Sequence, residues 1–115
     1  MVFDFSQMNV FIRPGATDLR KAVNGLALLV AEDMNQHIFS QSLFLFCNRE
    51  RKLIKMIYWD HTGFCLWQKR LEKHKYPWPK SEEEVREITQ DQLSMLLSGI
   101  DFWNAHTPLK YSQVS

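Results

Sequence analysis

Leu43-Phe44-Leu45-Phe46-Cys47 is followed by Asn48-Arg49-Glu50-Arg51-Lys52 and then by Leu53-Ile54-Lys55-Met56-Ile57-Tyr58-Trp59. Asp60-His61-Thr62-Gly63 comes next, and Phe64-Cys65-Leu66-Trp67 runs into Gln68-Lys69-Arg70-Leu71-Glu72-Lys73. Three runs rich in Phe, Ile, Tyr and Trp, separated by short polar connections, predict an antiparallel β-meander centred on residues 43–67. The first run is apolar throughout, as in a strand covered on both faces. The second carries Ile54, Met56 and Tyr58 on one side and Leu53, Lys55, Ile57 and Trp59 on the other. Residues 47–75 hold eight Lys or Arg against three Asp or Glu, a local charge of +5. Cations and aromatic rings therefore share one stretch of chain.

Working outward, 115 residues predict one domain, long enough to bury roughly two thirds of its unfolded surface. An apolar fraction of 45% with eight Phe excludes disorder for the bulk of the chain. No apolar run approaches the length of a membrane span, and the N-terminus lacks the pattern of a signal peptide. Cys47 and Cys65 lie within predicted strands, lack the paired spacing of a zinc site and are too few for a disulfide scaffold. They read as ordinary thiols of a cytoplasmic protein. The formal charge is only +1, but residues 81–104 hold six acidic side chains against Arg86 alone, so a basic centre adjoins an acidic C-terminal part.

Met8 to Ile12 has strand character and ends at the turn signal Arg13-Pro14-Gly15. Thr17 or Asp18 then opens a predicted helix over 18–34, where Leu19, Ala22, Val23, Leu26, Leu29, Val30 and Met34 form one stripe. Gly25 inside it suggests close approach to the sheet, and Asn35 is the expected C-cap. Gln68 to Lys73 reads as a helical turn, broken by Tyr76-Pro77-Trp78-Pro79. Ser81 with Glu84 fits a capping box while Val85 to Ile88 fits a strand, and the strand is preferred. Thr89 with Gln92 is a second capping box, followed by Leu93, Leu96, Leu97 and a closing Gly99. The fold class is thus α+β: a single domain over 1–103, with the meander packed against a long N-terminal helix and a short C-terminal helix. Residues 104–115 lack periodicity and are expected to be a flexible tail or a segment that docks on a partner.

Asp60-His61 with Asp18 or Asp101 could form a metal or acid–base cluster, but Asp18 reads as a helix start and Asp60 as a turn former. Cys47 or Cys65 with His61 or His74 makes a poor nucleophile pair, because a reactive thiol needs an exposed electropositive setting. Pro14-Gly15-Ala16-Thr17 lacks the Gly-Lys-Ser/Thr ending of a P-loop and reads as a turn. The positive set Arg49, Arg51, Lys52, Lys69, Arg70, Lys73, with Lys75 nearby, carries more weight. Tyr58, Trp59, Trp67, Tyr76 and Trp78 exceed what one small sheet needs for its core. Cations with surface rings suit a nucleic-acid strand, and equally a protein partner. The candidate DNA-binding residues are these six cations with Trp67 and Trp78.

Arg13-Pro14-Gly15-Ala16-Thr17-Asp18-Leu19-Arg20-Lys21 with Gly25-Leu26 resembles the opening signature of a small accessory protein of bacterial insertion sequences. The block from Leu43 to Arg49, including Asn48, with Tyr58-Trp59-Asp60 and Gly63-Phe64, resembles the same family, as do Trp67 to Lys73, Trp78-Pro79 and Leu93 to Gly99. That family is the second-reading-frame, TnpB-type protein of the IS sixty-six elements, and the resemblance covers about residues 8–103. It implies participation in DNA transposition beside a separate DDE-type transposase of the same element, without catalysis and without a cofactor, a metal, a membrane or a small-molecule substrate. The expected function is a non-enzymatic accessory factor contacting DNA or the transposase–DNA complex. A protein-interaction module with no DNA contact of its own is the alternative. Two departures stand out: Cys65 replaces a frequent aromatic residue, and the turn after Asp60 lacks the family's usual glycine.

Overall fold

Every residue of strand β2, Ser42–Cys47, is buried, because this strand lies in the middle of a five-stranded sheet. The computed structural model describes residues 5–80 and 86–101. In chain order the elements are a short 3-10 turn (Phe5–Gln7), β1 (Asn9–Ile12), α1 (Val23–Glu32), β2, β3 (Leu53–Trp59), β4 (Phe64–Arg70), β5 (Glu87–Ile88) and α2 (Gln90–Leu97). The strands lie in the order β4-β3-β2-β1-β5. The meander expected from the apolar runs is present as antiparallel β2, β3 and β4, with Leu45 opposite Met56 and Leu53 opposite Arg70. Beyond it the sheet is mixed: β1 pairs parallel with β2, Val10 opposite Leu43, and antiparallel with β5.

Alternation along β2 divides the core into two layers. Leu43, Leu45 and Cys47 join Val10, Ile12, Ile54 and Met56 on one face, covered by Leu93 and Leu96 of α2 and by Tyr76 and Trp78. Phe44, Phe46 and Ile57 face the other way and receive Leu26 and Val30 of α1, with Leu19 and Met34 from its flanks. Complete burial of Leu26 contributes about 1.5–3 kcal/mol. The described residues thus form a single α+β domain with one helix on each face of the sheet.

The long N-terminal helix expected over 18–34 is not formed; α1 follows β1, starts at Val23 and spans 10 residues. Its expected first turn is diverted. The Asp18 carboxylate does accept from the Arg20 backbone N–H at 3.0 Å, as a helix cap would, but the Leu19 carbonyl, which a helix would present to the Val23 N–H, accepts from Lys55 Nζ of β3 at 2.7 Å. The close neighbour of Gly25 is Lys21 and not the sheet: the three atoms nearest to a Cβ placed there all belong to that side chain, its Cβ at 3.2 Å. The cap is Asp33, and Asn35 (φ 55) turns the chain two residues later. The helical turn expected at 68–73 is strand as far as Arg70, because β3 offers β4 a seven-residue ladder that outweighs the local preference of Gln, Lys and Arg.

Near the C-terminus, the strand expected at 85–88 is seen as Glu87–Ile88, while Val85 and the Ser81/Glu84 box lie outside the described residues. The Thr89–Gln92 capping box forms with both of its reciprocal bonds. Gly99 (φ 80) closes α2, donating its N–H to the Leu96 carbonyl. The tail expected over 104–115 also lies outside the described residues.

Candidate functional site

Strand directions bring the polar connections together. β1 and β2 are parallel, so Ile12 and Cys47 leave the sheet at the same end. At that end β3 begins, β4 finishes and β5 begins. The 13–20 loop, the 48–52 turn, the 71–80 segment and Arg86 therefore share one rim. With Arg70 at the end of β4, the cations there are Arg13, Arg20, Arg49, Arg51, Lys52, Lys73, Lys75, Lys80 and Arg86.

The 48–52 turn is fixed from within and from the side. Asn48 Oδ1 accepts from the backbone N–H groups of Lys52 (3.0 Å) and Leu53 (3.2 Å), which is the work this motif asparagine performs. The Arg51 carbonyl accepts from Tyr76 N–H at 2.6 Å and the Lys52 carbonyl from Leu71 N–H at 2.8 Å. Arg51 adopts φ 61, a left-handed conformation uncommon for a residue with a Cβ.

The motif loop is tied to the same scaffold. Arg13 N–H donates to the Leu45 carbonyl, Thr17 N–H to Cys47 and Gly15 N–H to Pro79. Gly15 takes φ 81 after Pro14, so the chain can reverse there without a Cβ penalty. The Arg13 guanidinium is held in place, donating through Nε to Asp33 at 2.6 Å and through Nη1 to Thr17 Oγ1 at 2.8 Å and the Ala16 carbonyl at 3.2 Å. Arg20 pairs with Asp18 at 2.7 Å and holds that carboxyl well below its usual range. Being exposed, this pair contributes little to stability. Lys21 is exposed beside it. Among the described residues, Arg49, Arg51 and Lys52 have no carboxylate partner.

Three adjoining hollows surround Gly15 and Ala16. One of about 270 Å³ lies against Asn48, Arg49, Arg51, Trp78 and Lys80. One of about 610 Å³ reaches from Ala16 past Asp18 and Arg20 to Glu50 and Leu53. The third, about 380 Å³, lies between Arg13, Asp33, Lys80 and Arg86.

Of the candidate binding residues, Arg49, Arg51, Lys52, Arg70 and Lys73 meet on this rim. Lys69 points to the opposite face from Arg70 and donates Nζ to the Leu97 carbonyl at 2.9 Å. Trp67 packs partly buried against the α2-side core. Trp78 (5% exposed) and Tyr76 (0%) are core residues, not the surface rings that their number suggested. The Trp78 indole donates to the carbonyls of both Arg13 and Gly15. Lys80 and Arg86 were not singled out by sequence, since only the fold of the 71–80 segment and the β1–β5 pairing bring them here.

The motif residues Trp59, Asp60 and Gly63 stand at the other end of the sheet. Asp60 Oδ1 accepts from the Gly63 N–H at 3.1 Å, and the Cys65 thiol, Thr62 and Gly63 hold its carboxyl below its usual value. Trp59 meets Phe39 and Phe64, each at 5.0 Å edge-on. Burial pushes the Cys47 thiol up to about 12, the reverse of a nucleophile's tuning. No group of three metal-ligating side chains occurs among the described residues. Nor is any helix among them long and apolar enough to cross a membrane.

These features define a class: a small α+β domain with a mixed sheet between two helices and a cation-rich sheet end. The chain belongs to the family described as IS66 Orf2-like proteins, whose sequence pattern matches residues 8–107. Relatives include the uncharacterized protein y4hO of Sinorhizobium fredii, 40% identical over 83% of each chain. Another, y4jC of the same organism, is 25% identical over 83% of this chain and 81% of its own. No solved structure matches. Membership ties the protein to insertion sequences and to an accessory role in transposition.

Proposed function

We propose that this protein is a non-enzymatic accessory factor of DNA transposition that works in the cytoplasm beside a separate DDE-type transposase of the same element. It contacts DNA, alone or within the transposase–DNA complex, through the cation-rich end of its sheet. One observation carries the reading: cations from four separated stretches of sequence converge on one rim, and Arg49, Arg51 and Lys52 lack carboxylate partners among the described residues. Such a surface attracts phosphates by charge and by counterion release. The deciding experiment is a gel shift with element-end duplex at several salt concentrations, with and without purified transposase. Binding that weakens steeply with salt supports the reading.

A second reading has its own observation. At the far end of the sheet Phe39 (55% exposed) and Leu66 (44%) accompany the Trp59–Phe64 pair, and exposed aromatic clusters suit protein partners. It predicts no shift of duplex alone and capture of the transposase instead.

A further inference from the structure

The 270 Å³ hollow differs in charge from its two neighbours. Its lining holds three cations, Arg49, Arg51 and Lys80, and no described carboxylate. The 610 Å³ hollow includes Asp18 and Glu50, and the 380 Å³ hollow includes Asp33. Among the described residues, then, only the smallest of the three is lined by charges of one sign. Its floor is apolar and fixed, formed by Trp78 and Pro79, and a weakly polarisable wall strengthens the field of adjacent charges. Its volume far exceeds the roughly 30 Å³ that one water occupies in the liquid.

The rim of this hollow is also built at a conformational cost. Arg51 holds φ 61 where Gly or Asn would be easier, and the Asn48 and Tyr76 bonds lock it there. Arg51 lines the same hollow as Arg49, with Gly15 and Ala16 also in its wall. A guanidinium matches two phosphate oxygens in a planar fork, which a lysine does not.

We infer that the hollow between Gly15-Ala16 and the 48–52 turn seats one phosphate group of a nucleic-acid strand, gripped by Arg49 and Arg51. This rests on the DNA-contact reading and sharpens it from a charged rim to a particular seat. The phosphate is either an internal phosphodiester or a terminal phosphomonoester, since both present paired oxygens to an arginine fork.

The test uses the full chain and fluorescence anisotropy with a labelled duplex carrying either a 5′-phosphate or a 5′-hydroxyl. Arg49→Gln and Arg51→Asn remove the fork, and Asn tolerates the left-handed backbone at 51. Ala16→Leu adds bulk to the hollow without changing any charge, at an exposed position, and circular dichroism of each variant checks that it folds. Lys52→Gln is the control cation outside the hollow. Each of the three site variants is expected to weaken binding about tenfold or more, against about threefold or less for Lys52→Gln. Equal binding of the two duplexes by the natural protein assigns the seat to an internal phosphate; preference for the phosphorylated duplex assigns it to a strand end. If the natural protein binds duplex and the site variants lose no more than Lys52→Gln, the seat is refuted while DNA contact stands. If the natural protein binds neither duplex, both fail.

Discussion

The indole N–H of Trp78 donates to the carbonyl oxygen of Arg13 at 2.9 Å, across 65 residues of chain, and to the Gly15 carbonyl at 3.1 Å. One buried ring thus holds the motif loop against the segment that follows β4. The aromatic excess that suggests surface stacking is, at this position, a structural clasp. Trp78→Phe keeps most of the packing but leaves two carbonyls without a donor, which is expected to cost about 1–3 kcal/mol. Trp78→Ala should cost about 3–5 kcal/mol. Urea unfolding measures both, and a Trp78→Phe loss below about 0.5 kcal/mol would mean that the clasp does not hold the loop.

His61 sits at φ 86, immediately after Asp60, where the family resemblance leads one to expect glycine. The departure is a strained residue in an otherwise intact turn, since Asp60 N–H still donates to the Gly63 carbonyl at 3.1 Å. Left-handed backbone costs a residue with a Cβ about 1–2 kcal/mol, while glycine brings an entropic penalty of about 0.5–1 kcal/mol. His61→Gly should therefore stabilise by about 0.5–1 kcal/mol, raising Tm by roughly 2–5 °C. Thr62→Gly, where no positive φ occurs, should not stabilise.

The parts of the fold that were legible in the sequence are those that local chemistry decides. The meander follows from three apolar runs with polar turns between them, and α2 from Thr89, Gln92 and Gly99. Pairing of β1 with β2 was not legible, because a parallel pair separated by a helix leaves no turn signature. The start of α1 was misread for a different reason. Leu19 does join the α1-side core, so the apolar stripe is real, but Lys55 of β3 takes the Leu19 carbonyl that the first turn would use, a contact no local pattern announces. The rim was legible only in part: charge pointed to Arg49, Arg51 and Lys52, whereas Lys80 and Arg86 needed the chain path. Lys69 and Arg70 are neighbours in sequence, yet strand alternation sends them to opposite faces.

Cys47 and Tyr76 face each other in the α2-side core, and both are pushed up to about 12 by burial, Cys47 from 9.0 and Tyr76 from 10.0. Tyr76 Oη also donates to the Lys69 carbonyl at 3.1 Å, a bond that needs the phenol proton. A raised acid keeps its proton in the fold after the unfolded chain has lost it. Stability is therefore full below pH 9 and falls as pH rises from about 9 towards 12, by up to about 1.4 kcal/mol per pH unit for each group. Cys47→Ala should remove its share of that slope from pH 9 upward, and Tyr76→Phe its share only from pH 10. Denaturant midpoints across this range measure the effect; a Cys47→Ala protein with the natural slope would show that the thiol ionises normally in the fold.

Lys69 and Arg70 should separate stability from binding. Lys69 Nζ donates to the carbonyl of Leu97, the last residue of α2, at 2.9 Å, satisfying a helix end and complementing its dipole. Arg70 is exposed opposite Leu53, beside the 48–52 turn, and Lys73 follows on the same rim. Lys69→Met should lower stability by about 0.3–1 kcal/mol and leave duplex affinity close to the natural value. Arg70→Gln with Lys73→Gln should leave stability within about 0.5 kcal/mol, because exposed charges contribute little to folding. Together they should reduce the steepness of the log–log salt dependence by about 0.9 for each phosphate contact removed. The two measurements are independent, so their pattern assigns the surface. An unchanged salt slope in the double variant, with a large loss of affinity in Lys69→Met, would move the DNA contact from the rim to the α2 face of the sheet.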